Sequence, residues 1–212
     1  MFLKSAFIRI LILAGLSFGI MASSASANEP RLDQATQLVE ELIYRIQTVL
    51  KKDPSPEEVR AETNLVIDEF FDYNTIARFA AGQAWRKAED AEKEAYKNAF
   101  REVLLSLAET QFELFKTLEY TSLDAVAKGK KLVVASGTIH DVSGKLPDSV
   151  VSWRVSTREG KPMRIIDIEV ENISMLITQQ QENTAIIRQN GGKFSALIEA
   201  LEQQAKSIKA GQ

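Results

Sequence analysis

The sequence predicts an α+β protein: helices first, then a four-stranded antiparallel meander, then helices again. Three observations predict it. Apolar residues recur at steps of three and four up to Leu118, the period drops to two past Glu119, and helical spacing returns after Val170. The alternating segments are separated only by short stretches of turn chemistry, so consecutive strands pair antiparallel. In the third and fourth of them apolar and polar residues point to opposite sides, which leaves one apolar sheet face for helices to cover.

The N-terminus reads as a targeting segment. Lys4 and Arg9 precede an apolar-to-small run over 10–20, and Ala25-Ser26-Ala27 places small residues where a signal peptidase reads them. The run falls short of the roughly 20 residues that span a bilayer. Residues 1–27 are therefore expected to be a cleaved secretory signal peptide of bacterial style, and 28–212 a single exported domain, expected in a periplasm.

The elements of that domain follow in order. Over 31–52, Leu32, Ala35, Val39, Leu42, Ile46 and Val49 form an amphipathic stripe, widened by Leu38, Ile43 and Leu50, and Asp53-Pro54-Ser55-Pro56 ends it. Ser55 caps a second helix with Pro56 at its first position and Glu58 closing a capping box. It carries Val59, Val66, Ile67, Phe70 and Phe71 before Asp72-Tyr73-Asn74 breaks it. A short helix over 75–81 stops at Gly82, and a long Phe-rich helix is expected over 90–118. Strands are expected over 120–126, 131–139, 150–158 and 163–170. A C-terminal helical region follows, broken at Asn190-Gly191-Gly192. With no repeat and no long linker, all of these are expected to share one mixed core.

Candidate chemistry is sparse. The chain has 212 residues, 45% of them hydrophobic, one His and no Cys, which excludes zinc ribbons, thiol nucleophiles and disulfides. Cleavage would remove Lys4 and Arg9, leaving 24 basic against 29 acidic residues, a net charge of -5 that argues against nucleic acid. No nucleophile elbow, phosphate loop, dinucleotide fingerprint or zincin helix is present. His140 beside Asp141 could form an acid/base pair, although neighbours on a strand point apart and an exposed turn residue is the plainer reading. Asp167, Glu169 and Glu171 could hold a cation, or simply form the solvated side of a half-buried strand. No catalytic residue, metal ligand or cofactor is assigned.

The ordered set of motifs resembles the MlaC-like family, the toluene-tolerance or Mla-type periplasmic phospholipid carriers. Its carriers here are Phe71-Asp72-Tyr73, Arg78, Gly82 with Trp85, Phe100 to Phe112, and Met163-Arg164-Ile165-Ile166-Asp167-Ile168. Further along come Ile173-Ser174-Met175-Leu176, Thr178-Gln179-Gln180, Gly191-Gly192 and Leu197-Ile198-Glu199-Ala200-Leu201. Three positions depart from the family's habit: Met163 where Trp is common, Asn172 where Gly is common, and Gln179-Gln180 where Tyr-Arg is common.

The resemblance implies a non-enzymatic shuttle that encloses phospholipid acyl chains and docks with an inner-membrane ABC-type lipid transporter complex and an outer-membrane lipoprotein complex. Carriage of another lipid such as a hopanoid, an enzyme of a cone-shaped α+β fold, and a chaperone for apolar segments are the competing readings. For the lipid cavity the expected lining is Val151, Trp153, Val155, Ile166, Ile168 and Val170 from the sheet, with Ile76, Phe79, Leu104, Leu107, Phe112 and Phe115 from the helices. An apolar face of this kind can hold acyl chains by burial alone, without a catalytic group.

Overall fold

The computed structural model describes residues 30–211. The expected signal peptide, 1–27, lies outside the described residues. Helix α1 spans Pro30–Leu50, α2 Pro56–Phe70, α3 Tyr73–Ala80, a 3-10 turn Gly82–Arg86, and α4 Asp90–Phe115. Strands β1 Leu118–Ala127, β2 Leu132–Asp141, β3 Ser149–Ser156, β4 Arg164–Val170 and β5 Ile173–Ser174 follow, then α5 Met175–Gln189 and α6 Phe194–Lys209. The fold is α+β, as the change of period predicts. No helix of the described residues is long and apolar enough to cross a membrane.

The capping chemistry forms as read. Ser55 Oγ accepts from the Glu58 N–H, while the Glu58 carboxylate accepts from the Ser55 N–H. One difference lies at the third helix, which starts at Tyr73 rather than Thr75. The Asp72 carboxylate accepts from the Thr75 N–H and caps it, so the residue read as a helix breaker is a helix starter.

The sheet is antiparallel throughout, in the order β1-β2-β3-β4-β5. It has five strands rather than four, because the two residues of β5 pair with Glu169 and Val170. The connection is a left-handed turn: Glu171 has φ 49° and Asn172 φ 63°. Asparagine tolerates that conformation better than most residues, which explains how Asn172 can stand where glycine is common. At the opposite end of β4, Phe71 bridges to Ile165 and the Asp72 N–H donates to the Ile165 carbonyl at 3.0 Å, so the sheet edge is largely covered.

The single mixed core expected from the sequence is two cores. In one, α1 and α2 lie on the sheet, and Ala35, Val39, Leu42, Val66 and Phe70 meet Val133, Ala135, Val151, Trp153, Val155 and Ile165. In the other, α3, α4, α5 and α6 enclose Tyr96, Phe100, Val103, Phe194, Leu197 and Leu201. Helix α4, 26 residues and about 39 Å long at ~1.5 Å per residue, contributes Tyr96, Phe100 and Val103 to the helical core and also packs against α2. Helical periodicity identifies an apolar face but does not say which partner it meets, and that is why the division is invisible in sequence.

Candidate functional site

The apolar sheet face is set by register. Val151 lies opposite Gly137 and Val170, Trp153 opposite Ala135 and Ile168, and Val155 opposite Val133 and Ile165. Five of the six predicted sheet residues therefore share this face. Ile166 does not. The pairing shifts between Arg154 and Val155, so Ile165, fully buried, takes the place assigned to Ile166. A bulge of one residue turns the side chain beyond it to the other side of the sheet, and alternation alone cannot reveal it.

Two polar atoms sit within this face without a hydrogen-bond partner: the Tyr120 hydroxyl and the Trp153 indole N–H. Their rings meet edge to face, centroids 6.4 Å apart. The Tyr120 ring lies over Gly137, where a Cβ would fall 2.3 Å from it, so no other residue fits there without displacing the ring. Burial raises the Tyr120 pKa.

Beside the sheet face, α1, α2 and the C-terminal half of α4 enclose an apolar cavity of about 180 Å³. Ile46, Val49 and Leu50 of α1, Val59, Thr63 and Val66 of α2, and Ala108, Phe112 and Phe115 of α4 line it. Its one charged lining residue, Glu62, accepts a hydrogen bond from Arg45. Phe115 is 44% exposed and stands at the mouth. Ion pairs cross the same interface: Arg60 of α2 holds Glu102 at 2.5 Å and Glu109 at 3.1 Å on α4, and Lys116 reaches Asp53 at 2.6 Å.

The predicted helix residues divide. Phe112 and Phe115 line the cavity. Leu104 is half-buried and Leu107 is 40% exposed, and neither lines it. Ile76 packs against the helical core instead, and Phe79 faces a groove on the far side. Sequence reasoning missed the α1 and α2 contribution, although Ile46, Val49 and Val59 stood on the stripes it identified. The missing information was which side of each stripe meets α4.

The titratable candidates are structural. Asp167 is buried and accepts from the Ser174 hydroxyl at 2.6 Å and the Leu176 N–H at 3.0 Å, so it anchors the start of α5 rather than facing solvent with Glu169 and Glu171. Asp141 accepts from the Ser143 hydroxyl and the Lys145 and Leu146 N–H groups. The Ser143 hydroxyl contributes most to holding its pKa well below the usual carboxylate range. His140 pairs not with Asp141 but with exposed Asp148 at 2.6 Å, which raises its pKa.

These elements define a class of protein: a helix-clad antiparallel sheet whose apolar face and neighbouring cavity are built to meet nonpolar groups. The particular family follows from the sequence match. The family described as "MlaC protein" matches residues 36–203, most of the chain, and the protein belongs to it. The fold is also similar to a solved structure from Ralstonia solanacearum, described as a phospholipid-binding protein in complex with a phospholipid. The TM-score is 0.68 at 16% identity, over 82% of this chain and 98% of that one.

Proposed function

We propose that this protein is a periplasmic lipid carrier that encloses the acyl chains of a phospholipid between α1, α2, the apolar sheet face and the C-terminal half of α4. The observation that carries the reading is the apolar cavity of about 180 Å³ with Phe115 at its mouth, in a chain of the MlaC family whose fold is shared with a phospholipid-binding protein. Exposing acyl chains to water costs about 0.8 kcal/mol per methylene, so some thirty methylenes sum to roughly 24 kcal/mol. A shuttle that keeps them dry removes most of that barrier. It needs no acid, base or nucleophile, and the carrier is not an enzyme.

The cavity is smaller than the ~300–1,000 Å³ usual for small-molecule sites. A two-tailed lipid therefore requires α1 and α2 to move apart from α4. The interface suits that motion: beneath its rim of ion pairs it is apolar, and ion pairs near a surface contribute only about 0–1 kcal/mol each. Tyr120 and Trp153 supply a hydroxyl and an N–H for the lipid's ester region. In this reading residues 1–27 are a signal peptide that exports the chain. The mature protein then exchanges lipid between an inner-membrane ABC-type transporter complex and an outer-membrane lipoprotein complex.

Non-denaturing mass spectrometry of the protein purified from its native compartment, followed by solvent extraction, tests the proposal. The expected result is one phospholipid per chain. A hopanoid or other lipid in the extract would replace the ligand assignment. A chain that carries no lipid and takes none from phospholipid vesicles would overturn the carrier reading.

A further inference from the structure

A second concave surface lies away from the cavity. It is a groove of about 670 Å³ between α3, the 3-10 turn, the start of α5 and the bulged part of β4. Four arginines line it: Arg78, Arg86, Arg154 and Arg158. Its one acidic lining residue, Asp167, is buried and committed to Ser174 and the Ile168 and Leu176 N–H groups. Arg154 is paired with Glu169 at 2.8 Å. The guanidinium groups of Arg78, Arg86 and Arg158 are exposed and have no hydrogen bond or ion pair among the described residues. The groove continues past Gly82 and Gln180 along α5 to Arg188, also exposed and unpaired.

This concentration of cation is unusual for the chain. The full sequence has a net charge of -3, and elsewhere arginines are satisfied: Arg45, Arg60 and Arg101 each hold carboxylates of neighbouring elements. Apolar side chains share the groove with its free arginines. Phe79 is 43% and Ile177 45% exposed.

We infer that this groove is a docking surface for an acidic, amphipathic segment of a partner protein. Guanidinium forks match carboxylates in a planar, two-bond geometry, and desolvated arginines beside aromatic and aliphatic anchors are the usual makeup of interface hot spots. The concave form favours a chain segment laid along it over a flat bilayer surface. An apolar residue of that segment meets Phe79 and Ile177 while flanking Asp or Glu side chains meet Arg78, Arg158 and Arg86. The placement separates docking from cargo, since none of these residues lines the apolar cavity. The inference rests on the carrier reading for why a membrane complex must be docked.

The test uses the full-length chain in its native host with a photoreactive phenylalanine analogue in place of Ile177. Adducts are mapped to the attached peptide by mass spectrometry. The expected adduct is a protein peptide with Asp or Glu on both sides of an apolar residue, and its yield falls about tenfold or more in the Arg78→Glu/Arg158→Glu background, where like charges now face each other. Arg78→Lys/Arg158→Lys keeps the charge without the fork and is expected to retain part of the yield. Arg78 and Arg158 are exposed and unpaired, so melting temperature is expected to hold in both double variants, which separates lost docking from lost folding. A phospholipid adduct, a second copy of this chain, a peptide without carboxylates, or no adduct would overturn the inference. Lipid occupancy measured on the same samples distinguishes the failures: docking lost with lipid retained sinks only the groove, whereas a wild-type chain without lipid sinks the carrier reading.

Discussion

The helical core of α3 to α6 differs from the chamber side, where α1 and α2 lie on the sheet and, with the C-terminal half of α4, line the apolar cavity. In the helical core, Tyr96 is fully buried and stacks on Phe100 at 5.9 Å and tilts against Phe194 at 5.4 Å. Its polar groups are joined: buried Asn183 donates to the Ala80 carbonyl at 3.0 Å and approaches the Tyr96 hydroxyl at 3.3 Å, while Gln179 donates to Asn183. The chamber side has two unpartnered polar atoms and an apolar cavity with an exposed Phe at its mouth. One small fold thus places a densely tied core beside an apolar cavity. A dense, polar-tied bundle fixes one half of α4, and the other half borders the apolar cavity.

That contrast can be broken by substitution. Leu197 is fully buried in the helical core, so Leu197→Ala is expected to destabilise by about 2–5 kcal/mol in chemical denaturation, through lost burial and the cavity left behind. Asn183→Ala strips the Ala80 carbonyl and the Tyr96 hydroxyl of a partner in the same core and is expected to cost about 1–3 kcal/mol. On the chamber side, Ala108→Trp adds its ring toward existing space. Stability is expected to change by less than about 1 kcal/mol while bound phospholipid, counted by native mass spectrometry, falls markedly. A large loss of stability with lipid retained would show that side to be an ordinary packed core.

The smallest effect belongs to the outer end of the sheet. The folded-state pKa of His140 is raised, Asp148 being the main cause, so its contribution is present below the unfolded value and disappears as pH rises through the folded value. His140→Gln is expected to leave the melting temperature unchanged at about pH 8 and lower it slightly at about pH 5.5, below the usual histidine value. An equal loss at both pH values would show that packing, not charge, is what His140 supplies.

Much of the fold was legible because periodicity and capping are local. The stripe of α1, the capping box at Ser55 and Glu58, and the antiparallel meander all follow from neighbours in sequence. What was not legible depended on position in space. The Ile165 and Ile166 exchange arises from a single bulged pair, and β5 was too short to show any alternation. Asp167 kept the alternating pattern of a solvent-facing residue, yet the return of the chain at Ser174 buries it. The unpaired groove arginines come from four separate places in the chain, at 78, 86, 158 and 188, and only folding brings them to one concave surface. Phe112 and Phe115 line the cavity from the Phe-rich helix, whereas its α1 and α2 walls show in sequence only as apolar stripes.

The separation of chamber from scaffold is tested most directly by a phospholipid with photoactivatable groups along its acyl chains, loaded into the intact protein and mapped after irradiation. Attachment is expected on α1 and α2 near Ile46 and Val66, on α4 near Ala108 and Phe112, and on β3 near Trp153. Attachment concentrated around Tyr96, Leu197 and Leu201, with the chamber unlabelled, would contradict it.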